Sequence, residues 1–157
     1  MANNKGKAFE AKFKADFLKS FPEGTIDRLI DSTSGYKAIS NVCDFIGYNY
    51  PNIFYLECKS HLGNTFPLAN LTQYDKLKDK VGIKGVRVGV ILWFIDHDTV
   101  CYVPLQSITK MKEDGKKSVN IKMLQNSEYK IVQIPSEKKR VFLDSDYSIL
   151  TTLEEFD

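Results

Sequence analysis

A chain of 157 residues that is 43% apolar and 27% charged has the make-up of one globular domain able to bury about two-thirds of its unfolded surface, which excludes wholesale disorder and fibrous repeats. No apolar run reaches the ~20 residues of a membrane span, and three widely spaced cysteines (Cys43, Cys58, Cys101) fit reduced thiols in a cytoplasmic setting. The net charge of +2 is a sum of unlike parts: residues 1–20 carry +3 and residues 141–157 carry −5, leaving +7 on residues 1–140, a sign that attracts polyanions.

In residues 7–21, Phe9, Phe13, Phe17 and Leu18 recur at helical spacing, which predicts an amphipathic helix stopped by Pro22 and Gly24. A weak alternation over residues 25–30 predicts a strand, and the Ser32–Gly35 stretch a loop. Residues 42–47 and 53–60 are rich in β-formers and flank Asn49-Tyr50-Pro51-Asn52, the pattern of a β-hairpin. A loop over residues 61–70 and a helix over residues 71–81 follow, the helix ended near Gly82 and Gly85. Residues 86–95 form the most apolar strand, expected at the centre of its sheet. Asp96-His97-Asp98 is a turn, residues 99–103 pair back, and Pro104 at the first helical position starts a short helix. Further on, residues 130–134 predict a strand, 136–140 a basic loop and 147–156 a terminal helix. Helices alternating with strands in this order predict an α/β or α+β sandwich around a mixed sheet.

The chemistry concentrates at Asp44 and at Glu57-Cys58-Lys59. On a strand, residues i and i+2 share a face, so Glu57 and Lys59 project together while Leu56 and Cys58 face the core. A hairpin turning at residues 49–52 brings Asp44 across from residues 57–59. Two carboxylates at a sheet edge make an oxygen site suited to Mg²⁺, and a neighbouring lysine can orient a water and stabilise charge building on a phosphoryl group. The same Glu-x-Lys spacing at Glu10, Glu128 and Glu137 lacks this context: Glu10 lies on a helix, Glu137 in a basic loop, and Glu128 follows only the Asp114-Gly115 turn.

Other clusters read as ordinary structure. Three consecutive residues, Asp96, His97 and Asp98, cannot converge on one ion, and His61 has no partner motif. Ser34 and Ser60 lack a nucleophile-elbow context, no cysteine pair has zinc spacing, and the glycines at 82, 85 and 89 form no phosphate loop. Lys116-Lys117 and Lys138-Lys139-Arg140 are exposed basic segments able to touch phosphates.

Four stretches together resemble the RecU-type Holliday junction resolvases of the PD-(D/E)XK nuclease superfamily. They are Gly6-Lys7-Ala8-Phe9-Glu10, Asp44-Phe45-Ile46-Gly47, Leu56-Glu57-Cys58-Lys59-Ser60 and Phe66-Pro67-Leu68-Ala69-Asn70. The resemblance implies an α/β, restriction-endonuclease-like core with a mixed central β-sheet flanked by helices and a small C-terminal extension. One nuclease domain would span residues 1–157, with its core at about 5–103 and additions at 104–157. It implies Asp44 and Glu57 as metal ligands, the Cys58 carbonyl as a third, Lys59 as the catalytic lysine, and Glu10 completing the acidic site directly or through a metal-bound water. Gln73 is a further site candidate, although it lies earlier than an ungapped match would place it and Asp75 occupies that slot. The cofactor implied is Mg²⁺, with Mn²⁺ substituting, and the partners are a four-way DNA junction and a second copy of the chain, with no membrane. Residues 22–43 stand where the family inserts a long stalk into the junction, so the stalk is short or missing. A restriction-like or repair endonuclease acting on duplex or flap DNA, and a catalytically inert DNA-binding module on the same fold, are the alternatives.

Overall fold

The computed structural model describes residues 2–30, 41–125 and 127–153. Helix α1 (Ala2–Ser20) places Phe9, Phe13 and Phe17 on one buried face, and Phe21 continues that stripe just past its end. A six-stranded sheet lies beneath, in the order β1 (Thr25–Arg28), β2 (Phe45–Asn49), β3 (Asn52–His61), β5 (Val86–Phe94), β6 (Thr99–Pro104) and β8 (Val132–Gln133). β3 and β5 pair in parallel and the other neighbours antiparallel, so the sheet is mixed. As the hydrophobic run implies, β5 is central. It is covered on both faces: Ile91 and Trp93 pack toward α1, while Val90, Leu92 and Phe94 pack toward α2 (Tyr74–Lys78) and α3 (Leu105–Glu113).

Edge-on aromatic contacts fix α1 against the sheet. Phe13 meets Phe45 at 5.1 Å and Tyr147 at 4.9 Å between ring centroids, and Phe17 meets Phe54 at 5.6 Å. A Cβ on Gly47 would stand 3.0 Å from the Phe17 ring, so any larger residue would push the helix or its ring away from β2 by a few tenths of an ångström. This docking carries Glu10 to the β1–β2 edge. Among the described residues no helix is long and apolar enough to cross a membrane.

The hairpin predicted around residues 49–52 is present, with the register Phe45↔Leu56 to Asn49↔Asn52. Several expectations need correction. The predicted helix over residues 71–81 shrinks to α2, because the Leu71 N–H closes the preceding turn on the Leu68 carbonyl and tighter turns end at Gly82, with φ +84°. Pro104 sits before the first helical residue of α3, in an extended conformation with ψ 142°. The predicted loop over residues 61–70 contains β4 (Thr65–Pro67), which pairs with the distant β7 (Ser118–Asn120). Only Val132 and Gln133 of the predicted strand over 130–134 are strand, since Lys130 turns to φ +51°.

The basic loop at 136–140 is instead largely strand β9 (Ser136–Lys138), paired with β10 (Leu143–Ser145). Its lysines are neutralised within the chain: Lys138 binds Asp98 at 2.7 Å, and Lys139 lies 3.1 Å from Glu137. The predicted terminal helix is a 3₁₀ turn over Tyr147–Thr151, and its last residues, like the predicted loop at Ser32–Gly35, lie outside the described residues.

Candidate active site

Asp44 immediately precedes β2, and its carbonyl accepts the Leu29 N–H at 2.7 Å, tying it to the end of β1. Continuing the β2–β3 register one residue beyond Phe45↔Leu56 sets Asp44 beside Glu57. Its Oδ2 accepts the Cys58 N–H at 2.9 Å, which fixes the carboxylate against β3. Lys59 follows two residues after Glu57, with its Nζ 3.4 Å from Glu57 Oε2. The strand alternation foreseen from sequence therefore holds for Glu57 and Lys59, with Leu56 and Cys58 in the core beneath α1.

Burial goes further than alternation implies. Glu57 is 1% exposed, and its Oε1 has no hydrogen-bond partner among the described residues. Burial, followed by the charge of Asp44, raises its pKa to about 7, against the opposing pull of Lys59. Burial likewise pushes Cys43 up to about 12 and Cys58 well above the ordinary thiol value, so both are neutral packing groups.

Glu10 reaches this corner through an intermediary that sequence reasoning missed. Arg28, the last residue of β1, donates from Nε to Glu10 Oε2 at 2.8 Å and lies 3.7 Å through Nη2 from Asp44 Oδ1. It also donates from Nη1 to the Leu29 carbonyl, and its guanidinium stands 5.7 Å over the Phe45 ring. Burial lowers the Arg28 pKa, but the Glu10 hydrogen bond and the charges of Glu10, Asp44 and Glu57 outweigh it and hold the group protonated. The signal for Arg28 was its place in an alternating strand, but the register Arg28↔Phe45 that sets it beside Asp44 spans an intervening segment with no pairing pattern.

Gln73 stands just before α2, on the side of the sheet that Glu57 faces, and its Oε1 accepts from the Thr72 hydroxyl at 2.9 Å. Asp96, His97 and Asp98 point to three partners, the Gly63 N–H, Asn64 and Lys138, as expected of a polar turn. Among the described residues no three His, Cys, Asp or Glu side chains gather in metal-ligating geometry; a guanidinium lies between the helix carboxylate and the strand carboxylate. A cavity of about 340 Å³ lined by Lys84, Arg87, Tyr102, Gln106 and Leu153 includes none of these acidic residues and lies toward the start of β5. What the corner offers chemically is an oxygen-rich, partly buried cluster in which one carboxylate oxygen has no partner among the described residues and two cations stand at the rim.

The sequence model of the family described as RecU, Recombination protein U, matches residues 24–142. Among solved structures, the chain is similar to Hjc, a Holliday junction resolvase from the archaeal hyperthermophile Archaeoglobus fulgidus, with a TM-score of 0.51 and 17% identity over 65% of this chain and 78% of that one. That likeness shows the restriction-endonuclease-like fold. Among curated proteins, no significant match is found.

Proposed function

This chain belongs to the recombination protein U family, and from that premise we propose that it is a divalent-metal-dependent DNA endonuclease that resolves four-way junctions. The observation that carries the site assignment is the hydrogen bond from the Cys58 N–H to Asp44 Oδ2, which holds a carboxylate beside the Glu57–Lys59 pair. Chemically, the corner suits a hard cation. Its donors are oxygens, and Glu57 Oε1, without a hydrogen-bond partner among the described residues, is a buried lone-pair site that a cation would satisfy. Asp44, Glu57 and the Cys58 carbonyl would hold Mg²⁺, or Mn²⁺ in its place, with Glu10 completing the set. When bound, the ion supplies Lewis-acid stabilisation of a phosphoryl oxygen and lowers the pKa of a water.

The chain's own groups do the rest. Lys59 Nζ, on a side chain 27% exposed, donates to a non-bridging phosphate oxygen or to the attacking water as negative charge accumulates. Asp44, held by the Cys58 N–H, keeps its carboxylate in register with Glu57 on β3. Gln73 would join the site by turning its amide from Thr72 toward the phosphate. A junction needs two symmetric cuts and one subunit supplies one such site, so two copies act together.

The test is metal-dependent cleavage of labelled four-way junction, flap and linear duplex by the wild type, Asp44→Ala and Lys59→Ala. Junction cutting that both substitutions abolish, with melting and DNA binding retained, supports the reading. Undiminished cutting by either variant overturns the site, and preference for duplex or flap moves the substrate to the restriction-like or repair class. DNA binding with no cutting identifies an inert module.

A further inference from the structure

The Arg28 guanidinium occupies the space between two carboxylates that the proposed nuclease needs for its metal. Its contacts use three different nitrogens, on Glu10, the Leu29 carbonyl and Asp44, and Phe45 supports it from below. Three carboxylates (Glu10, Asp44, Glu57) face two cations (Arg28, Lys59), so an incoming divalent ion meets a corner already largely neutralised. Arginine does not lose its charge, so it yields these carboxylates only by moving. The movement is open to it. β1 is an edge strand, the Arg28 side chain is 37% exposed, and its contact with Asp44 is loose at 3.7 Å. A phosphodiester is the competing partner that a guanidinium fork fits best.

We propose that Arg28 is the place-holding cation of this site: it occupies Glu10 and Asp44 in the metal-free protein, competes with the divalent metal for them, and is drawn off by a DNA phosphate, so that metal and DNA bind cooperatively. The inference rests on the nuclease reading. It gives Arg28 a positioning role, exerted through the two carboxylates, and explains how Glu10 can belong to the site while paired to an arginine. Coupling of this kind is reciprocal: DNA tightens the metal by the same factor as the metal tightens DNA.

The experiment is calorimetric titration of the full chain with Mn²⁺, using the wild type, Arg28→Gln, Arg28→Lys and Asp44→Ala, each checked for folding by circular dichroism. Removing a unit positive charge beside the ion should tighten Mn²⁺ binding by Arg28→Gln ~10-fold. Arg28→Lys, which cannot bridge both carboxylates, should fall between, and it serves as the reading if Arg28→Gln does not fold. A second arm titrates Ca²⁺ with and without a four-way junction, with strand integrity followed on a gel. The junction should tighten Ca²⁺ binding to the wild type, and most of that gain should vanish in Arg28→Gln.

Equal or weaker Mn²⁺ binding by a folded Arg28 variant overturns the proposal, because a merely structural arginine would leave the site loosened when removed. If Asp44→Ala abolishes binding while the Arg28 variants match the wild type, only this inference fails. If the wild type and Asp44→Ala bind alike, the carboxylate site itself fails with it.

Discussion

Helix α1 carries two ion clusters a turn or two apart, and they are finished to different degrees. Toward the C-terminal segment, Asp16 is 5% exposed and fully used: Oδ1 takes Lys12 at 2.8 Å and Oδ2 takes the Ser145 N–H at 3.1 Å. Lys12 also binds Asp144 at 2.5 Å, and Ser20 Oγ accepts the Tyr147 N–H at 2.9 Å. The hydrogen bond from Lys12 holds Asp144 below the usual carboxylate range. Toward β1–β3, by contrast, Glu57 keeps one buried oxygen without a partner among the described residues, and Asp44 meets Arg28 only loosely. A complete cluster clamps one part of the fold to another, whereas an incomplete one stores unfavourable desolvation that a further group can relieve.

Substitutions should separate the two clusters. Asp44→Asn is expected to lower junction cleavage by at least ~10³-fold, measured in single-turnover assays, with little change in melting. Asp16→Ala should do the reverse. Leaving the Ser145 N–H and Lys12 without their buried acceptor should cost about 2–3 kcal/mol in urea denaturation, while cleavage per folded molecule at 25 °C persists.

A pH series sharpens the contrast. Because the Glu57 pKa is raised in the fold, the folded state binds more protons than the unfolded state between the ordinary carboxylate pKa and about 7, and stability falls as pH rises through that window. The difference between metal-free wild type and Glu57→Gln should therefore grow with a slope of up to ~1.4 kcal/mol per pH unit there and level off above it. A constant difference across the window would show that Glu57 ionises as if exposed.

Smaller effects follow at the periphery. A Cβ on Gly6, one turn before Glu10, meets nothing within 4 Å, so Gly6→Ala should raise stability by up to ~1 kcal/mol through helix propensity alone. A fall in cleavage in the same variant would mean that this open helix surface is crossed by DNA. Lys139→Ala removes exposed ion pairs to Glu137 and Asp144 and should shift stability by less than ~1 kcal/mol.

Much of this architecture was legible locally. The four-residue recurrence of phenylalanines marked α1, the apolar run marked the central strand, and β-formers around Pro51 marked the hairpin that aligns Asp44 with Glu57. The β4–β7 pairing was hidden because its halves are some 50 residues apart and too short for an alternation to show. Residues 136–140 read as a basic loop because nothing in the local sequence shows that Lys138 pairs with Asp98 and Lys139 with Asp144, both from other segments.

By itself, then, the sequence determined which residue types could do the chemistry and which face of a strand they share, because side-chain period and turn preference act over a few residues. The burial of Glu57 beside Asp44, and the place of Arg28 between Glu10 and Asp44, were settled by tertiary packing alone. Desolvation and charge pairing depend on which distant segments cover a group, and here that cover is a helix and an edge strand joined through none of the local patterns that betray a fold.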